Sequence, residues 1–363
     1  MFTDVVILAG GFGERLWPAS RPDNPKQFLS LGSGISLLQN SIMRALALKP
    51  QGKIIIATRK DLLESCAKHA FELCEKVTAE EKNKILKDLI VLAEPEPKHT
   101  TAPIILSCHM LEKLDPQTQH SILVLTSDHV IKPVENFAAD CEEAFKAAVT
   151  DKFVCFAIPP TEPSTGYGYI KTGDNLTPKT YKIDTFKEKP DAKTAQEYFE
   201  SGKYFWNSGM FGFTSSFLKS ELAKCEPDVS KAFEVCENGK APKLAKVHNI
   251  YYIKKWPEME KAYAVTPKIA IDNAIAEKTA NAYAVSTSFN WDDVGSWDAF
   301  AKFSEGEDNV IAQASSENNF VYSDIPVALC DVKDLIVVIK NGKALVMKKG
   351  SSNLVRDVVK SIK

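Results

Sequence analysis

The stretch from Val5 to Leu31, VVILAGGFGERLWPASRPDNPKQFLSL, gathers the residue types from which a phosphate site is made. Ala9, Gly10, Gly11 and Gly13 put almost no side chain where a backbone must turn sharply or approach a ligand closely. Successive backbone N–H groups in such a loop can form a concave anion site. Arg15, Arg21 and Lys26 follow directly, opposed only by Glu14 and Asp23. Far along the chain, Thr126-Ser127-Asp128-His129 closes an apolar run, so that Asp128 stands at a strand end. A carboxylate there suits Mg²⁺, which takes one or two carboxylates and completes its shell with phosphate oxygens and water. The competing role for Asp128 is to cap the next turn. His129 reads as structural.

Two other glycine-loop patterns do not fit. A dinucleotide fingerprint needs G-x-G-x-x-G with a helix opening inside it, whereas Gly11-Phe12-Gly13 runs on into Leu16-Trp17-Pro18. Pro18, Pro22 and Pro25 predict an extended loop that wraps a ligand. No Gly-Lys-Ser/Thr follows, so the P-loop pattern fails as well. A glycine turn standing alone would be a solvated loop with surface cations. The full run G-G-x-G-x-R-L-x-P-x-S-R-x-x-x-P-K-Q-F-L is far more specific. It resembles the signature of nucleotide-sugar pyrophosphorylases, and its Pro25-Lys26-Gln27-Phe28-Leu29 ending is similar to the bacterial mannose-1-phosphate guanylyltransferase family.

That resemblance implies an enzyme with GTP and mannose 1-phosphate as substrates and Mg²⁺ as cofactor. The sugar phosphate would attack the α-phosphorus in line, giving GDP-mannose and pyrophosphate. Arg15 and Lys26 would grip the triphosphate and the leaving group. Asp293, in Trp291-Asp292-Asp293-Val294-Gly295-Ser296-Trp297, matches the family's second metal-binding aspartate beside Asp128, with Asp292 its local competitor. In Phe186-Lys187-Glu188-Lys189-Pro190, Glu188 resembles a sugar-hydroxyl acceptor and Lys189 the cation for the sugar phosphate. Gly168, in Thr165-Gly166-Tyr167-Gly168-Tyr169, would bring its backbone against the hexose, and Asn207, in WNSGM, would bond sugar hydroxyls. Standing alone, the first of these motifs would be a solvated charged strand end and WNSGM an aromatic hairpin core. Asp272, in AIDNAIAEK, resembles a family S-x-D-Y position that has lost its Ser and Tyr, and its role is left open.

One segment departs from the family pattern. Where the family reads E-P-x-x-R/K-N-T-A-P against the base, this chain reads Glu94-Pro95-Glu96-Pro97-Lys98-His99-Thr100-Thr101-Ala102-Pro103, one residue longer and with Thr100 in place of Asn. Backbone carbonyls and Glu94 are the candidates for guanine's donor edge. The altered segment keeps open a thymidylyl- or uridylyltransferase acting on glucose 1-phosphate. A catalytically dead nucleotide-sugar sensor is the alternative from another class, and the retained Arg15, Lys26, Lys189 and two aspartates argue against it. An NAD-binding oxidoreductase fails on the loop and on Thr58-Arg59, which stands where an acid would follow the second strand.

The elements that must position these residues alternate along the chain. Apolar runs at Val5–Leu8, Lys53–Thr58, Asp88–Ala93, Ser121–Ser127 and Phe153–Ile158 read as buried strands. Amphipathic segments separate them, such as the one placing Leu38, Ile42, Ala45 and Leu46 on one face. This order predicts an α/β fold with a mostly parallel, Rossmann-like nucleotidyltransferase sheet and helices on both faces. Ligands in such sheets sit beyond the carboxyl ends of the strands, where the glycine loop and the Asp128 loop both lie. From Pro159 to about Phe213 short strands with polar turns look like an excursion over that sheet. Helices are expected around Ser216–Cys225, Asp228–Cys236 and Ile269–Lys278. Residues 1–303 are expected to be the catalytic domain and 304–363 a small C-terminal β module ending in a helix, packed on the catalytic domain or on a second subunit of a homodimer.

Composition bounds the partners. The 363 residues are 44% hydrophobic and 25% charged, with a net charge of −2, so no basic footprint for nucleic acid is present and phosphate binding must come from local charge. No apolar run approaches membrane-spanning length and no signal peptide is evident, and the eight cysteines read as buried thiols of a cytoplasmic protein. The tail after WDDVGSW contains no histidine, so the cupin-type isomerase activity carried by some family members is not expected.

Overall fold

The β-branched run near the N-terminus becomes a strand paired along both edges. In a computed structural model, which describes residues 1–11, 13–32, 34–304 and 310–362, β1 (Asp4–Leu8) is followed by β2 (Ile54–Arg59), β3 (Leu89–Glu94), β4 (Ser121–Thr126) and the short β5 (Val130–Lys132). Then come β6 (Phe153–Ile158), β7 (Tyr169–Thr177), β8 (Thr180–Lys187), β9 (Tyr204–Thr214), β10 (Ala245–Val247), β11 (Ile250–Ile253) and β12 (Ala282–Ser286). Eleven of these form one sheet in the order β10-β11-β3-β2-β1-β4-β9-β6-β12-β8-β7. β1 pairs in parallel with β2 and β4, and Val5, Val6 and Ile7 are fully buried, as a strand covered on both faces requires. Each such side chain contributes about 1.5–3 kcal/mol through burial. Leu8 stands level with Ala57 and Thr126, so the chain leaves β1, β2 and β4 at one height of the sheet edge.

The chain folds as two compact units: Met1–Gly10 with Ser41–Thr126 and Ile131–Trp291, and Gly11–Asn40 with Ser127–Val130 and Asp292–Lys363. The first contains the large sheet. Its core joins Val6, Ile55 and Val124 to helix residues such as Ile104, Leu106 and Met110 of Thr101–Leu114.

Two expectations are corrected in this unit. The stretch after Pro159 is not an excursion over the sheet: β9 lies within it, antiparallel to β4 on one side and to β6 on the other. Its apolar residues Met210, Phe211 and Phe213 are buried. The segment Ile269–Lys278 forms only a π-helical turn, Asp272–Ala276. Tertiary hydrogen bonds hold its start out of a regular helix, because Thr101 N donates to Ile269 O and Ile271 N donates to Thr100 Oγ1 at 2.8 Å. Helices also form here at Ala79–Asp88, Ala192–Ser201 and Pro257–Val265, and in the smaller unit at Trp297–Phe303, none of which periodicity singles out. Ala79–Asp88 buries only Ile85 and is secured by a capping box between Thr78 and Glu81.

The smaller unit is built from β13 (Asn290–Asp292), in part, and from β14 (Val310–Ala314), β15 (Phe320–Ser323), β16 (Val327–Cys330), β17 (Leu335–Lys340) and β18 (Lys343–Lys348). β15, β17 and β18 form one small sheet, and β14 and β16 another. Asn341 and Gly342 make the β17–β18 turn with φ of 56° and 69°, the conformation that favours this dipeptide in two-residue hairpins. The core of this unit combines Leu16, Leu29 and Leu31 of the glycine-loop segment with Trp297, Phe300, Ile336 and Val355. The chain-wise division at residues 303 and 304 therefore falls inside this unit. Among the described residues no helix is long and apolar enough to cross a membrane. All eight cysteines are free thiols, of which Cys225 is half-buried, Cys330 exposed and the rest buried.

Candidate active site

In the smaller unit the glycine loop, the Asp128 loop and the DDVGS loop meet through charge. Gly13 has a φ of +60°, and a Cβ there would lie 2.6 Å from Lys26 Cβ and 2.8 Å from Lys26 N, so only glycine lets the loop pass Lys26. Lys26 opens a 3₁₀ turn, Lys26–Phe28, and is buried. Its Nζ lies 2.9 Å from Asp128 Oδ2 and also donates to the backbone carbonyl of Asp293. Arg15 Nη2 is 3.5 Å from Asp293 Oδ2. Burial would raise the Asp128 carboxyl, but the charges of Lys26 and His129 outweigh it and hold the group below its usual range. Arg21, by contrast, pairs with Asp23 at 3.1 Å and remains exposed.

The DDVGS loop is held tightly. Asp292 Oδ1 accepts from Val294 N at 2.7 Å and Asp293 Oδ1 accepts from Gly295 N at 3.1 Å. Val294 sits at a φ of 46°, a strained state for a β-branched residue, and its complete burial holds it there. A Cβ on Gly295 would lie 2.6 Å from Asp293 Oδ2 and 2.9 Å from Arg15 Nη2. Trp297 Nε1 donates to Trp17 O at 2.8 Å, tying this loop to the signature segment. A cavity of about 470 Å³ opens here, lined by Gly13, Arg15, Leu16, Lys26, Asp128, Gly295 and Arg356. Around Gly11 an added Cβ would meet nothing within 4 Å.

Whether these residues suit a divalent ion is answered by Lys26. Its ammonium touches both the Asp128 carboxylate and the Asp293 backbone, so the two acid loops converge on one positive centre. Two hard-oxygen residues with room for phosphate oxygens suit Mg²⁺. Among the described residues no group of three or more His, Cys, Asp or Glu offers a fuller cage. Asp128 and Asp293 offer hard oxygens, the ligand type a divalent ion shares with substrate phosphates.

In the larger unit two further groups form. At the ends of β1 and β3, Ala9 is buried with its N–H donated to Ala57 O at 2.8 Å, and a Cβ on Gly10 would approach Glu94 Oε1 to 3.6 Å. Tyr263 donates its hydroxyl to Glu94 Oε2 at 2.9 Å. Burial pushes the Glu94 carboxyl up to about 8, against the pull of that hydrogen bond, so at neutral pH it is mostly protonated. Thr100 does not face the site as a free hydroxyl, since it accepts from Ile271 N.

The second group gathers Gly168, Glu188, Lys189 and Asn207. Asn207 N donates to Gly168 O at 2.8 Å, and a Cβ on Gly168 would lie 2.5 Å from Glu188 Oε2. Glu188 Oε1 pairs with Lys189 Nζ, and Lys189 has a φ of 42°. Asn207 Nδ2 donates to Asp272 Oδ1 at 2.7 Å while its Oδ1 accepts from Gly209 N at 3.2 Å. Its amide is thus locked, leaving one N–H and one lone pair for a ligand. Burial and the Glu188 charge push Asp272 up to about 6. Tyr167 packs against Trp206 and Trp291, with centroids 4.8 and 5.1 Å away.

Asp272, Tyr263 and Arg356 are the site residues whose roles sequence reasoning did not assign. Asp272 carried a signal in its resemblance to a family aspartate; Tyr263 and Arg356 lie in ordinary helical segments, and only spatial proximity marks them.

Known proteins resemble this chain in sequence and in fold. A family model described as "Nucleotidyl transferase" matches residues 4–309. The mannose-1-phosphate guanylyltransferase of Escherichia coli (strain K12) is 33% identical over 369 residues, covering 99% of this chain and 73% of that protein. The xanthan biosynthesis protein XanB of Xanthomonas campestris pv. campestris is 35% identical over 367 residues, covering 99% and 73%. A crystal structure described as mannose-1-phosphate geranyltransferase from Thermus thermophilus superposes with a TM-score of 0.80 at 29% identity, covering 100% of this chain and 99% of that one. With that family model matched over residues 4–309 and a relative 33% identical over 99% of its residues, the chain belongs to the nucleotidyl transferase family.

Proposed function

We propose that this enzyme transfers GMP from GTP to mannose 1-phosphate, giving GDP-mannose and pyrophosphate. The observation that carries the reading is Lys26, whose ammonium ties the Asp128 carboxylate to the Asp293 backbone beside Arg15 and a phosphate-sized cavity. The names of its relatives, mannose-1-phosphate guanylyltransferases among them, supply the substrate pair.

The residues present indicate how the reaction proceeds. The sugar phosphate is an anion at neutral pH and needs no general base, so the protein's contribution is orientation and charge neutralisation. Arg15 and Lys26 bind the triphosphate and steady the departing pyrophosphate. Lys189 holds the attacking phosphate, and Glu188 and the free edges of the Asn207 amide bond sugar hydroxyls. Gly10, Gly11, Gly13 and Gly168 let the backbone approach its ligands. Asp128 and Asp293 would hold Mg²⁺, which when bound offsets the mutual repulsion of the phosphates. Backbone carbonyls near Glu94, with the unprotonated oxygen of its neutral carboxyl, are the acceptors for the donor edge of guanine. The Thr100 hydroxyl is engaged by Ile271 N, which supports reading the longer base segment as a backbone adjustment.

Pyrophosphate release measured across a matrix of nucleoside triphosphates and sugar 1-phosphates tests this. GTP with mannose 1-phosphate should give the highest kcat/KM. A site whose polar groups are matched to one base can reject another by on the order of 10⁴, so GTP and ATP values within about threefold would overturn the guanine assignment. No turnover with any pair would favour a sensor.

A further inference from the structure

We propose that Arg356, on the C-terminal helix Val355–Ile362, is a further binding residue for the terminal phosphates of the nucleoside triphosphate and for the pyrophosphate they become. This rests on the reading of Arg15 and Lys26 as triphosphate ligands. Arg356 lines the same cavity of about 470 Å³ as Gly13, Arg15, Lys26, Asp128 and Gly295. Three cations and one carboxylate border that cavity, so it is a site for an anion. Its size accommodates phosphate groups.

The other two cations are engaged by protein groups. Lys26 contacts Asp128 and the Asp293 carbonyl, and Arg15 contacts the Asp293 carboxylate. The Arg356 side chain has no hydrogen bond or ion pair among the described residues and remains exposed. Its guanidinium presents five donors in a planar fork that matches phosphate oxygens bidentately, and no rearrangement of an existing ion pair is needed to use it.

Its position is secured by packing and by hydrogen bonds. Val355, the preceding residue, is 2% exposed and packs in the cluster that contains Leu16, the chain neighbour of Arg15. Just before the helix, Gly350 N and Ser352 N donate to the Asp298 carboxylate at 2.6 and 3.2 Å, and Ser352 Oγ donates to it at 2.5 Å. Asp298 lies in the helix Trp297–Phe303, which follows directly on the DDVGS loop. The start of the C-terminal helix is therefore fastened to the chain segments that carry Arg15 and Asp293.

The test uses the full chain and three variants: Arg356→Gln, Arg356→Lys, and Lys360→Gln as a control for loss of charge on the same helix. Binding of inorganic pyrophosphate is measured by calorimetry, and KM is measured separately for GTP and for mannose 1-phosphate. Arg356→Gln should weaken pyrophosphate binding and raise the KM for GTP roughly tenfold or more, the range expected for a lost charge-assisted bond, with the KM for mannose 1-phosphate within about twofold. Arg356→Lys should recover part of the loss, and Lys360→Gln should match the parent. Equal pyrophosphate binding by the parent and Arg356→Gln, or equal losses in Lys360→Gln, would overturn the proposal, as would a parent that does not bind pyrophosphate. A parent that binds pyrophosphate through Arg356 but turns over no substrate pair would uphold the site while removing the functional reading it was built on.

Discussion

The Nζ of Lys26 lies 2.9 Å from Oδ2 of Asp128, and this ion pair joins the signature segment to the loop that follows β4. A lysine so placed serves two ends. It holds the carboxylate ionised, and in the proposed reaction it would also meet the negative charge of a bound triphosphate.

Asp128→Asn and Asp293→Asn are expected to keep the fold, because Asn is nearly isosteric and both groups stand at loop positions. Each should lower kcat by roughly 10²–10³, the usual effect of removing a preorganised charge contact in a transition state. If both hold one ion, the double variant should be little worse than either single variant. Added Mg²⁺ should partly restore the singles. Near-parental kcat at saturating Mg²⁺ with unchanged metal affinity would remove both aspartates from the metal site.

Glu94 makes stability depend on pH. Burial raises its carboxyl from the ordinary 4.5 to about 8, so the folded protein binds a proton that the unfolded chain releases between those values. The stabilisation is complete below about pH 4.5 and is lost as pH rises through about 8. Melting temperatures of the parent and Glu94→Gln, compared from about pH 5 to about pH 9, should show the Gln variant gaining relative stability toward alkaline pH. A constant difference across that range would contradict the neutral carboxyl.

Asp272 is a positioning residue for Asn207. Replacing it by Ala removes the fixed acceptor at 2.7 Å and frees the Asn207 amide to turn. The KM for mannose 1-phosphate should rise roughly tenfold while that for GTP stays within about twofold, a split that general destabilisation would not produce. Equal rises for both substrates would leave Asp272 a purely structural part of its π-helical turn.

Gly13 and Gly11 separate conformational need from ligand approach. Gly13→Ala places a Cβ 2.6 Å from Lys26 Cβ at a φ of +60°, and should lower the melting temperature as well as kcat. Gly11→Ala meets no protein atom within 4 Å, so its melting temperature should be unchanged while GTP affinity falls. The reverse pattern would mean that the loop does not receive the nucleotide as proposed.

Much of this was legible in the chain itself. The buried strands announce themselves because Val5–Ile7, Ile54–Ile56 and Ile122–Leu125 are continuous apolar runs, and a strand covered on both faces needs nothing but its own residues to say so. The glycine-and-cation signature is equally local, since turn geometry and charge are written within a span of chain. Tertiary structure decided the rest. β9 lies within the sheet because β4 and β6 leave it a place between them, a matter of pairing that its residue pattern does not encode. Ile269 and Ile271 give up a regular helix because Thr100 and Thr101, far back in the chain, take their hydrogen bonds. Glu94 becomes a neutral acid only when burial in the folded protein outweighs the hydrogen bond it receives from Tyr263. Arg356 carries no motif at all, and comes to the cavity because the hydrophobic contact of Val355 with the Leu16 cluster brings the end of the chain back to its beginning.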